Sequence, residues 1–361
     1  MKSRSLQSKL FFAYISLACL ILFSFAVFFY AFVSRQLKQS QISAMNTLNS
    51  SFQTQVDSAI RNLDAVSVNI NYSNQSKTIL DNSFNLNISS DMLSAMSDLF
   101  ISLSGTELKA DQVNLYDFSG YVLEAGISTI VKKTDGSKDE WIEAARELEG
   151  KKVLTPPYCT REYTKTATYD QWFISLYRSF NNQYKRGVGV IETAKQCKSV
   201  FKSIITYKKK NHEAAASVYV FDSNGDLIYP YDISQEYKAA LQPYYELTKG
   251  DDSALTLASP LTGRTEYAAE SVSAYTGYTY LTIQPESVVL APVYNLLRIL
   301  VAIVALFLTV SIFISYRLSR SVVRPVKHLK HLKFQISVLV HTHGAGYTWT
   351  GKGDCLPGFC Q

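Results

Sequence analysis

The reactive residue types that come closest together lie near the C-terminus, where two histidines and two cysteines could be drawn as a metal site. His341 and His343 form an H-x-H pair, and Cys355 and Cys360 are separated by four residues. This spacing matches no common zinc pattern, and a metal site also needs an ordered shell of supporting groups. Elsewhere no catalytic triad, paired-carboxylate motif or phosphate-binding glycine loop stands out. We therefore expect no catalytic residue, no metal and no other cofactor in this chain.

Two long apolar segments have the length of membrane-spanning helices. The first, Phe11 to Val33, contains 23 residues without a charge, and the second, Ile299 to Tyr316, contains 18. A helix needs about 20 apolar residues to cross the hydrocarbon core of a bilayer. For the first segment the alternative is a cleaved secretory signal, but the segment ends in bulky residues without a small-residue cleavage site. The sequence therefore predicts a two-span protein with the lipid bilayer as a partner.

The net charge of +6 is distributed next to these two segments. The basic residues that flank them are Lys2, Arg4, Lys9, Arg317, Arg320, Arg324, Lys327, Lys330 and Lys333. Because lysine and arginine favour the cytoplasmic side of a membrane, both termini are expected in the cytoplasm. Residues 34 to about 292 then lie outside the cell, which is the topology of a receptor. This charge distribution gives no reason to expect a nucleic-acid partner.

The exterior segment begins with the pattern of a long amphipathic helix. Between Gln36 and Ile70 there is no proline or glycine, and apolar residues recur at steps of three and four, the period of one helical face. These residues are Met45, Leu48, Phe52, Val56, Ile60, Leu63, Val66 and Ile70. A stalk helix is therefore expected to rise from the first span. Further along, a disulfide between Cys159 and Cys197 stays open, since nothing local fixes their approach.

A strand–turn–strand pattern occurs twice in the exterior segment, at a spacing of 105 residues. In the first copy Val113 precedes a turn with Asp117 and Gly120, and in the second Val218 precedes a turn with Asp222 and Gly225. A helical stretch, a loop and two further strands follow each copy, with Gly187–Val190 aligned to Gly277–Tyr280. Two tandem modules are expected, each an antiparallel sheet with helices on one side. The predicted fold class is α+β, with a long N-terminal stalk helix and two PAS-like modules between two transmembrane helices.

This order of parts resembles the double Cache (dCache) sensor domain of bacterial transmembrane receptors. The phrases "YVFDSNGDLIYP", "SPLTGRTEY" and "GYTYLTIQPESVVLAPV" resemble the membrane-proximal half in sensor histidine kinases of the YesM type. The implied organisation is a cytoplasmic N-terminus (1–10), a first span (11–33), stalk and connecting helices (34–104), a membrane-distal module (105–210), a membrane-proximal module (211–290), a second span (291–316), a partial HAMP-like linker (317–335) and an aberrant, disordered tail (336–361).

The segment after the second span resembles the start of a HAMP linker. Val322, Leu329 and Ile336 are seven residues apart, with Leu332 between them, which is a seam suited to a parallel coiled coil. Pro325 near the helix start can set the angle at which the helix leaves the membrane. Val322, Pro325, Leu329 and Leu332 are thus expected to relay a signal in a homodimer. The glycine-rich tail has no helical period, and we interpret it as an out-of-frame continuation of a longer gene.

The family resemblance implies a ligand site in the membrane-distal module. The residues of that zone that could bind a ligand are Trp141, Tyr158, Arg161, Tyr163, Trp172, Ser175, Tyr177 and Arg178. Aromatic rings can stack on sugars, and arginines can bind carboxylates. Alternation places Trp172 and Arg178 on one face of a strand and Ser175 and Tyr177 on the other, and the sequence does not decide which face lines the site.

The chain lacks the aromatic run and the later aspartate of the family's amino-acid-binding members, which makes an α-amino-acid ligand doubtful. The expected partner is an extracellular small molecule, sugar or peptide, or a ligand-loaded binding protein. The expected function is the sensing and signalling portion of a two-component histidine kinase, truncated before its catalytic domain. A chemoreceptor or cyclase sensor, and a membrane-tethered binding protein without output, are the alternatives.

Overall fold

The computed structural model describes residues 6–81, 89–105, 108–125, 130–163, 168–181, 187–211, 216–248 and 255–343. Within these ranges the side chains of 6–11, 79–81, 161–163, 168–169, 248, 255, 315 and 318–343 are not described. The chain divides into two compact units, one formed by residues 37–290 and the other by residues 1–36 and 291–361. Each unit is described by itself.

The larger unit contains the central part of the chain. Its helices are the C-terminal part of α1 (Leu6–Tyr72), α2 (Asn74–Asp81), α3 (Ser90–Ser104), α4 (Asp139–Glu147), α5 (Cys197–Val200), α6 (Lys202–Asn211), α7 (Gln235–Thr248) and the first residues of α8 (Glu286–His343). Its strands are β1 (Gln112–Asp117), β2 (Tyr121–Ala125), β3 (Ile130–Lys133), β4 (Val153–Leu154), β5 (Tyr158–Tyr163), β6 (Thr168–Asn181), β7 (Gly187–Gln196), β8 (Ser217–Phe221), β9 (Leu227–Tyr229), β10 (Leu255–Ala258), β11 (Thr265–Val272) and β12 (Thr279–Pro285).

The strands form two antiparallel sheets with the same core topology. The distal sheet has the order β3-β2-β1-β7-β6-β4, with β5 also pairing with β6. The proximal sheet has the order β10-β11-β12-β8-β9. The shared part reads β2-β1-β7-β6-β5 in one and β9-β8-β12-β11-β10 in the other, so the predicted α+β fold with two tandem modules is confirmed.

The two predicted hairpins use the same turn chemistry. In the first, Asp117 Oδ1 accepts hydrogen bonds from the backbone N–H groups of Ser119 (3.0 Å) and Tyr121 (2.7 Å). In the second, Asp222 Oδ1 accepts from Asn224 (2.9 Å) and Asp226 (2.8 Å). Gly120 and Gly225 both adopt a φ of 90°, a conformation that favours glycine. The repeated residues in the sequence therefore specify a repeated turn.

The register of β7 and β12 corrects one detail of the predicted repeat. Val190 lies opposite Tyr116 of β1, whereas Thr279 lies opposite the equivalent Phe221 of β8. Val190 and Thr279 are therefore structural equivalents, and the glycine-based alignment is shifted by one residue. The shift also makes Thr193 equivalent to Thr282.

The amphipathic face of α1 is the centre of the larger unit. Of the predicted apolar positions, Met45, Phe52, Val56, Ile60, Leu63, Val66 and Ile70 are buried, and Leu48 is partly buried. A single cluster joins this face to Leu115 and Ile191 of the distal sheet and to Val220 and Tyr280 of the proximal sheet. The opposite face of the distal sheet packs on α4, and that of the proximal sheet packs on α7. The stalk helix is thus a shared core element of both modules.

The smaller unit consists of the N-terminal part of α1 and most of α8. Both helices are long and apolar enough to cross a membrane, by length and composition. Their apolar side chains are largely exposed, as lipid-facing residues would be: Leu20, Phe23 and Phe28 are more than 60% exposed. An apolar groove lies between them, bordered by Leu22 and Phe23 on one helix and Leu300 and Val304 on the other.

The proposed relay residues lie on α8, which continues to His343. Val322, Pro325, Leu329 and Leu332 therefore belong to one unbroken helix, although their side chains are outside the described residues. Residues 336–343, which were predicted to begin the disordered tail, instead belong to α8. Residues 344–361, the larger part of the tail, lie outside the described residues. The relay and the out-of-frame origin of the tail stay predictions.

Candidate functional site

A cavity of about 530 Å³ opens on the face of the distal sheet that packs against α4. Its lining comes from β1, β2 and the segment that connects β3 to α4, and includes Asn114, Tyr116, Glu124, Lys132, Ser137 and Lys138. This volume lies within the range of ordinary small-molecule sites. Polar groups dominate the lining, so a molecule that fills the cavity must itself form hydrogen bonds.

A buried carboxylate lies directly behind the cavity wall. Glu192 of β7 has no exposed surface, and it accepts hydrogen bonds at both carboxylate oxygens. Oε2 accepts from Asn114 Nδ2 at 2.8 Å and from the Tyr116 hydroxyl at 2.6 Å. Oε1 accepts from the Tyr158 hydroxyl at 2.9 Å and from Ser175 Oγ at 2.7 Å. These residues form the Glu192 network, in which the Tyr158 hydroxyl and Ser175 Oγ also lie 2.7 Å apart, so that two hydroxyl hydrogens are shared among three contacts.

The charge of Glu192 is balanced by Lys138, the residue that precedes α4. Lys138 Nζ lies 2.9 Å from each carboxylate oxygen of Glu192. Burial raises the pKa of Glu192, but the charge of Lys138 and the hydrogen bonds of the network outweigh it and bring the pKa to about 2. The carboxylate is therefore ionised and fully paired. Because Lys138 joins the start of α4 to the centre of the sheet, the ion pair also holds α4 over the cavity.

Two tyrosines of the network act as donors rather than as acids. Burial, followed by the nearby negative charge of Glu192, raises the pKa of both Tyr116 and Tyr158 well above its usual value. Their hydroxyls therefore stay protonated at physiological pH and donate to the carboxylate. Because each donor of the network already has a partner, the network holds these side chains in fixed positions.

Aromatic packing closes the site on the side of α4. The Trp141 ring centroid lies 5.2 Å from that of Tyr158 and 5.9 Å from that of Tyr177. Tyr177 is fully buried beside Tyr116, with a centroid distance of 6.3 Å. Four of the predicted ligand-site residues, Trp141, Tyr158, Ser175 and Tyr177, are therefore brought together around the Glu192 network.

The other predicted site residues on β6 point away from the cavity. Trp172 contacts Tyr231 at a centroid distance of 5.8 Å, and Arg178 binds Asp64 and Ser67 of the stalk helix. Both side chains lie on the face that packs on α1, as the predicted alternation required. Arg161 and Tyr163 are in β5, opposite Asp170 and Thr168 of β6, and their side chains lie outside the described residues.

Sequence reasoning did not select Glu192, Lys138, Asn114 or Tyr116. One signal was available for Glu192: on alternate positions of β7 it follows Val188 and Val190 and precedes Ala194, so a charge interrupts an apolar face. A charge at such a position needs a buried partner. The partner is 54 positions away in the chain, and the sequence does not show which cation meets it.

The described residues contain no bonded pair of cysteines and no cluster that could hold a metal ion. Cys159 is exposed and Cys197 is buried, and no disulfide joins them. No group of three or more histidine, cysteine, aspartate or glutamate side chains converges within the described ranges.

Comparison with known proteins shows a relationship at the level of the fold. No protein-family model matches the chain, and no curated protein matches it in sequence. The periplasmic sensory domain of the Campylobacter jejuni chemoreceptor Tlp1 superposes with a TM-score of 0.50 at 13% identity, over 71% of this chain and 99% of that chain. At this identity the likeness shows the fold alone.

Two further solved structures are similar at slightly lower scores. The sensory domain of the Campylobacter jejuni chemoreceptor Tlp3 with isoleucine bound gives a TM-score of 0.48 at 13% identity, over 72% of this chain and 98% of that chain. The extracellular domain of vpHK1S-Z8, described as a histidine kinase, gives 0.49 at 11% identity, over 74% and 99%.

Proposed function

We propose that the chain is the extracytoplasmic ligand-sensing and transmembrane portion of a bacterial receptor. The observation that carries this proposal is the polar cavity under α4, backed by a fully paired buried carboxylate, in a domain whose first and last helices continue into candidate membrane spans. The polar lining offers hydrogen-bond donors and acceptors to a bound molecule, and the Glu192 network holds part of this lining in place. The geometry is therefore suited to binding a molecule.

The charge pattern of the cavity favours a polar ligand without a strong net charge. The lining carries three lysines, Lys132, Lys133 and Lys138, and three carboxylates, Glu124, Asp135 and Asp139, so its charges balance. Lys132 pairs with Glu124 at 2.8 Å and Lys138 pairs with Glu192. A lining without net charge favours a ligand without net charge, and hydroxyl groups can bond to both its donors and its acceptors. We infer a sugar or another hydroxyl-rich molecule before an α-amino acid, although related folds include a domain with isoleucine bound.

Thermal-shift screening of the full chain in lipid nanodiscs tests the binding proposal. The panel comprises neutral saccharides, polyols, short peptides, amino acids and dicarboxylates. Lys133→Trp fills part of the cavity lining without removing a member of the Glu192 network, and Lys202→Trp places the same ring on exposed α6 as a control. A ligand that stabilises the wild type and Lys202→Trp, but not Lys133→Trp, supports the proposal. If no compound shifts the wild type, or if both variants retain the shift, this cavity is not the ligand site.

A more specific form of the proposal is that this portion belongs to a histidine kinase, with the kinase as its output domain. This form rests on the coiled-coil seam of Val322, Leu329 and Leu332 and on the resemblance of the linker to HAMP units. Such a linker requires a homodimer, because a coiled-coil seam cannot be buried by one helix alone. Translating the nucleotide sequence downstream of Lys333 in the other two frames distinguishes a kinase core from a chemoreceptor or cyclase output. If neither frame encodes a kinase-like sequence, the kinase form fails.

A further inference from the structure

Asp64 of the stalk helix lies where three parts of the larger unit meet. Its Oδ1 accepts a hydrogen bond from Arg178 Nη2 of β6 in the distal module. Its Oδ2 accepts from the Tyr275 hydroxyl, in the turn between β11 and β12 of the proximal module, at 2.6 Å. One carboxylate on α1 therefore bridges the distal and proximal modules. We call Asp64, Lys152, Arg178 and Tyr275 the Asp64 junction.

The segment that follows α4 is tied to this junction at two points. The Gly150 carbonyl oxygen accepts a hydrogen bond from Arg178 Nη1. Lys152 Nζ lies 4.0 Å from Asp64 Oδ2 and 3.3 Å from the Tyr275 ring centroid, and it donates to the Tyr275 carbonyl at 3.4 Å. Glu149 and Gly150 both have positive φ values, 46° and 91°. Only a short segment therefore connects the end of α4 to the Asp64 junction.

Strand β6 connects the cavity to the junction through neighbouring residues. Tyr177 packs under Trp141 of α4, and the next residue, Arg178, points to the opposite face and binds Asp64. A shift of α4 therefore reaches Arg178 by two routes, through β6 and through Gly150. Packed side chains transmit such shifts because the interior has little free volume.

The charges of the junction are unbalanced toward cations. Lys152 and Arg178 both face the carboxylate of Asp64, and the Arg61 guanidinium carbon lies 4.0 Å from the Tyr275 ring centroid. Burial lowers the pKa of Lys152, and Arg178 and Arg61 lower it further against the attraction of Asp64 and Asp57. Removing the charge of Asp64 would therefore leave Lys152 and Arg178 without their shared carboxylate and would weaken the junction.

We propose that Asp64 is the positioning residue that couples α4, the helix over the ligand cavity, to the stalk helix and the proximal module. This inference rests on the proposed sensing function and specifies its signal path: a change in the position of α4 reaches α1 through the contacts of Arg178 and Gly150 with the Asp64 junction. The physical requirement is an energetic coupling between the two places, and spatial continuity alone does not establish one.

Hydrogen exchange of the full chain in nanodiscs, without ligand, measures this coupling. Lys138→Gln removes the ion pair that holds α4 over the cavity. Trp141→Ala removes the packing of α4 on Tyr177 and serves as the second variant if Lys138→Gln folds poorly. We call these two the cover variants. We expect either variant to accelerate amide exchange in α1 peptides that contain Asp64 by at least about fivefold, the lower end of ordinary allosteric coupling. In an Asp64→Asn background the same cover variant should produce less than half of this acceleration.

Asp57→Asn is the matched control. Asp57 lies on the same helix and binds the same β11–β12 turn, through Ser273 Oγ at 2.7 Å and Thr276 Oγ1 at 3.1 Å. It forms no hydrogen bond or ion pair with Arg178 or Lys152 among the described contacts, and only its weaker long-range attraction reaches Lys152. In the Asp57→Asn background, the cover variants should accelerate amide exchange in α1 as much as they do in the wild-type background. An equal effect in both backgrounds, or no effect of either cover variant on α1, would overturn the proposal.

The two proposals fail separately. The exchange experiment contains no ligand, so a negative ligand screen leaves its result intact. A chain that binds a saccharide in the cavity but shows the same acceleration with and without Asp64 is a sensor whose signal takes another path.

Discussion

Lys138 Nζ lies at the same distance, 2.9 Å, from both carboxylate oxygens of Glu192, although the two residues belong to different layers of the distal module. Lys138 directly precedes the helix that covers the cavity, and Glu192 lies in the middle of the sheet beneath it. Glu192 is fully buried, whereas 21% of the Lys138 side chain is exposed. The pair therefore fixes the helix to the sheet at the place where a ligand would enter.

Replacing Glu192 tests how much this contact contributes to stability. We expect Glu192→Gln to lower the free energy of unfolding by about 2–4 kcal/mol, because Lys138 loses its partner and the network donors lose a charged acceptor. Urea denaturation of the full chain in detergent, followed by tryptophan fluorescence, measures the change. Glu124→Gln is the control, since both members of the Glu124–Lys132 pair are partly exposed and the pair should contribute less than about 1 kcal/mol. Equal losses in the two variants would contradict a structural role for the buried pair.

The same carboxylate predicts a specific acid sensitivity. The pKa of Glu192 is lowered from 4.5 to about 2 in the folded protein. A carboxyl group whose pKa is lower in the folded than in the unfolded state stabilises the folded protein at every pH above its unfolded-state pKa. This stabilisation is lost as the pH falls from about 4.5 to 2. The shift corresponds to about 3 kcal/mol. The stability difference between the wild type and Glu192→Gln should therefore shrink over this pH range, and a difference that stays constant down to pH 2 would refute the assignment.

Local patterns in the sequence predicted most elements of the fold, but the loop predicted after α4 was wrong in part, because it contains strands β4 and β5. The apolar period of α1 identified the face that is buried, and Asp117 and Asp222 identified two hairpins, because each signal depends on neighbouring residues. The alignment of Gly187 with Gly277 was shifted by one residue, since glycine similarity does not report the pairing of β7 with β1 or of β12 with β8.

The site depends on contacts between distant residues, and the sequence revealed only part of it. Trp141, Tyr158, Ser175 and Tyr177 were selected because aromatic and hydroxyl side chains suit ligand binding. Glu192 and Lys138 were missed because their pairing follows from the approach of α4 to β7. Trp172 and Arg178 were selected for their chemistry, but strand alternation directs them to the stalk helix.

The two cysteines of the larger unit provide a test of topology. Cys159 is exposed, whereas Cys197 is fully buried and burial raises the pKa of its thiol. A membrane-impermeant maleimide added to intact cells should therefore label the wild type, and Cys159→Ser should lose most of the label. Cys197→Ser is the matched control and should be labelled like the wild type. Because Cys355 and Cys360 can also react once cells are permeabilised, the quantity to compare is the label that Cys159→Ser loses. If this loss is seen only in permeabilised cells, the larger unit lies in the cytoplasm and an extracellular sensor is excluded.

Gly189 of β7 allows a test of the distal sheet that needs no ligand. A Cβ at this position would overlap the backbone oxygen of Tyr116 on β1, and neither backbone segment can move without disturbing the pairing of the two strands. We expect Gly189→Ala to destabilise the protein by about 1–3 kcal/mol, the usual range for overpacking, and to accelerate hydrogen exchange in β1. At Gly187 the nearest atom to an added Cβ is 3.8 Å away, so Gly187→Ala should change stability by less than about 0.5 kcal/mol. Because Tyr116 donates to Glu192, a displaced β1 should also weaken the network. An unaffected Gly189→Ala variant would show that β1 and β7 are not paired in this register.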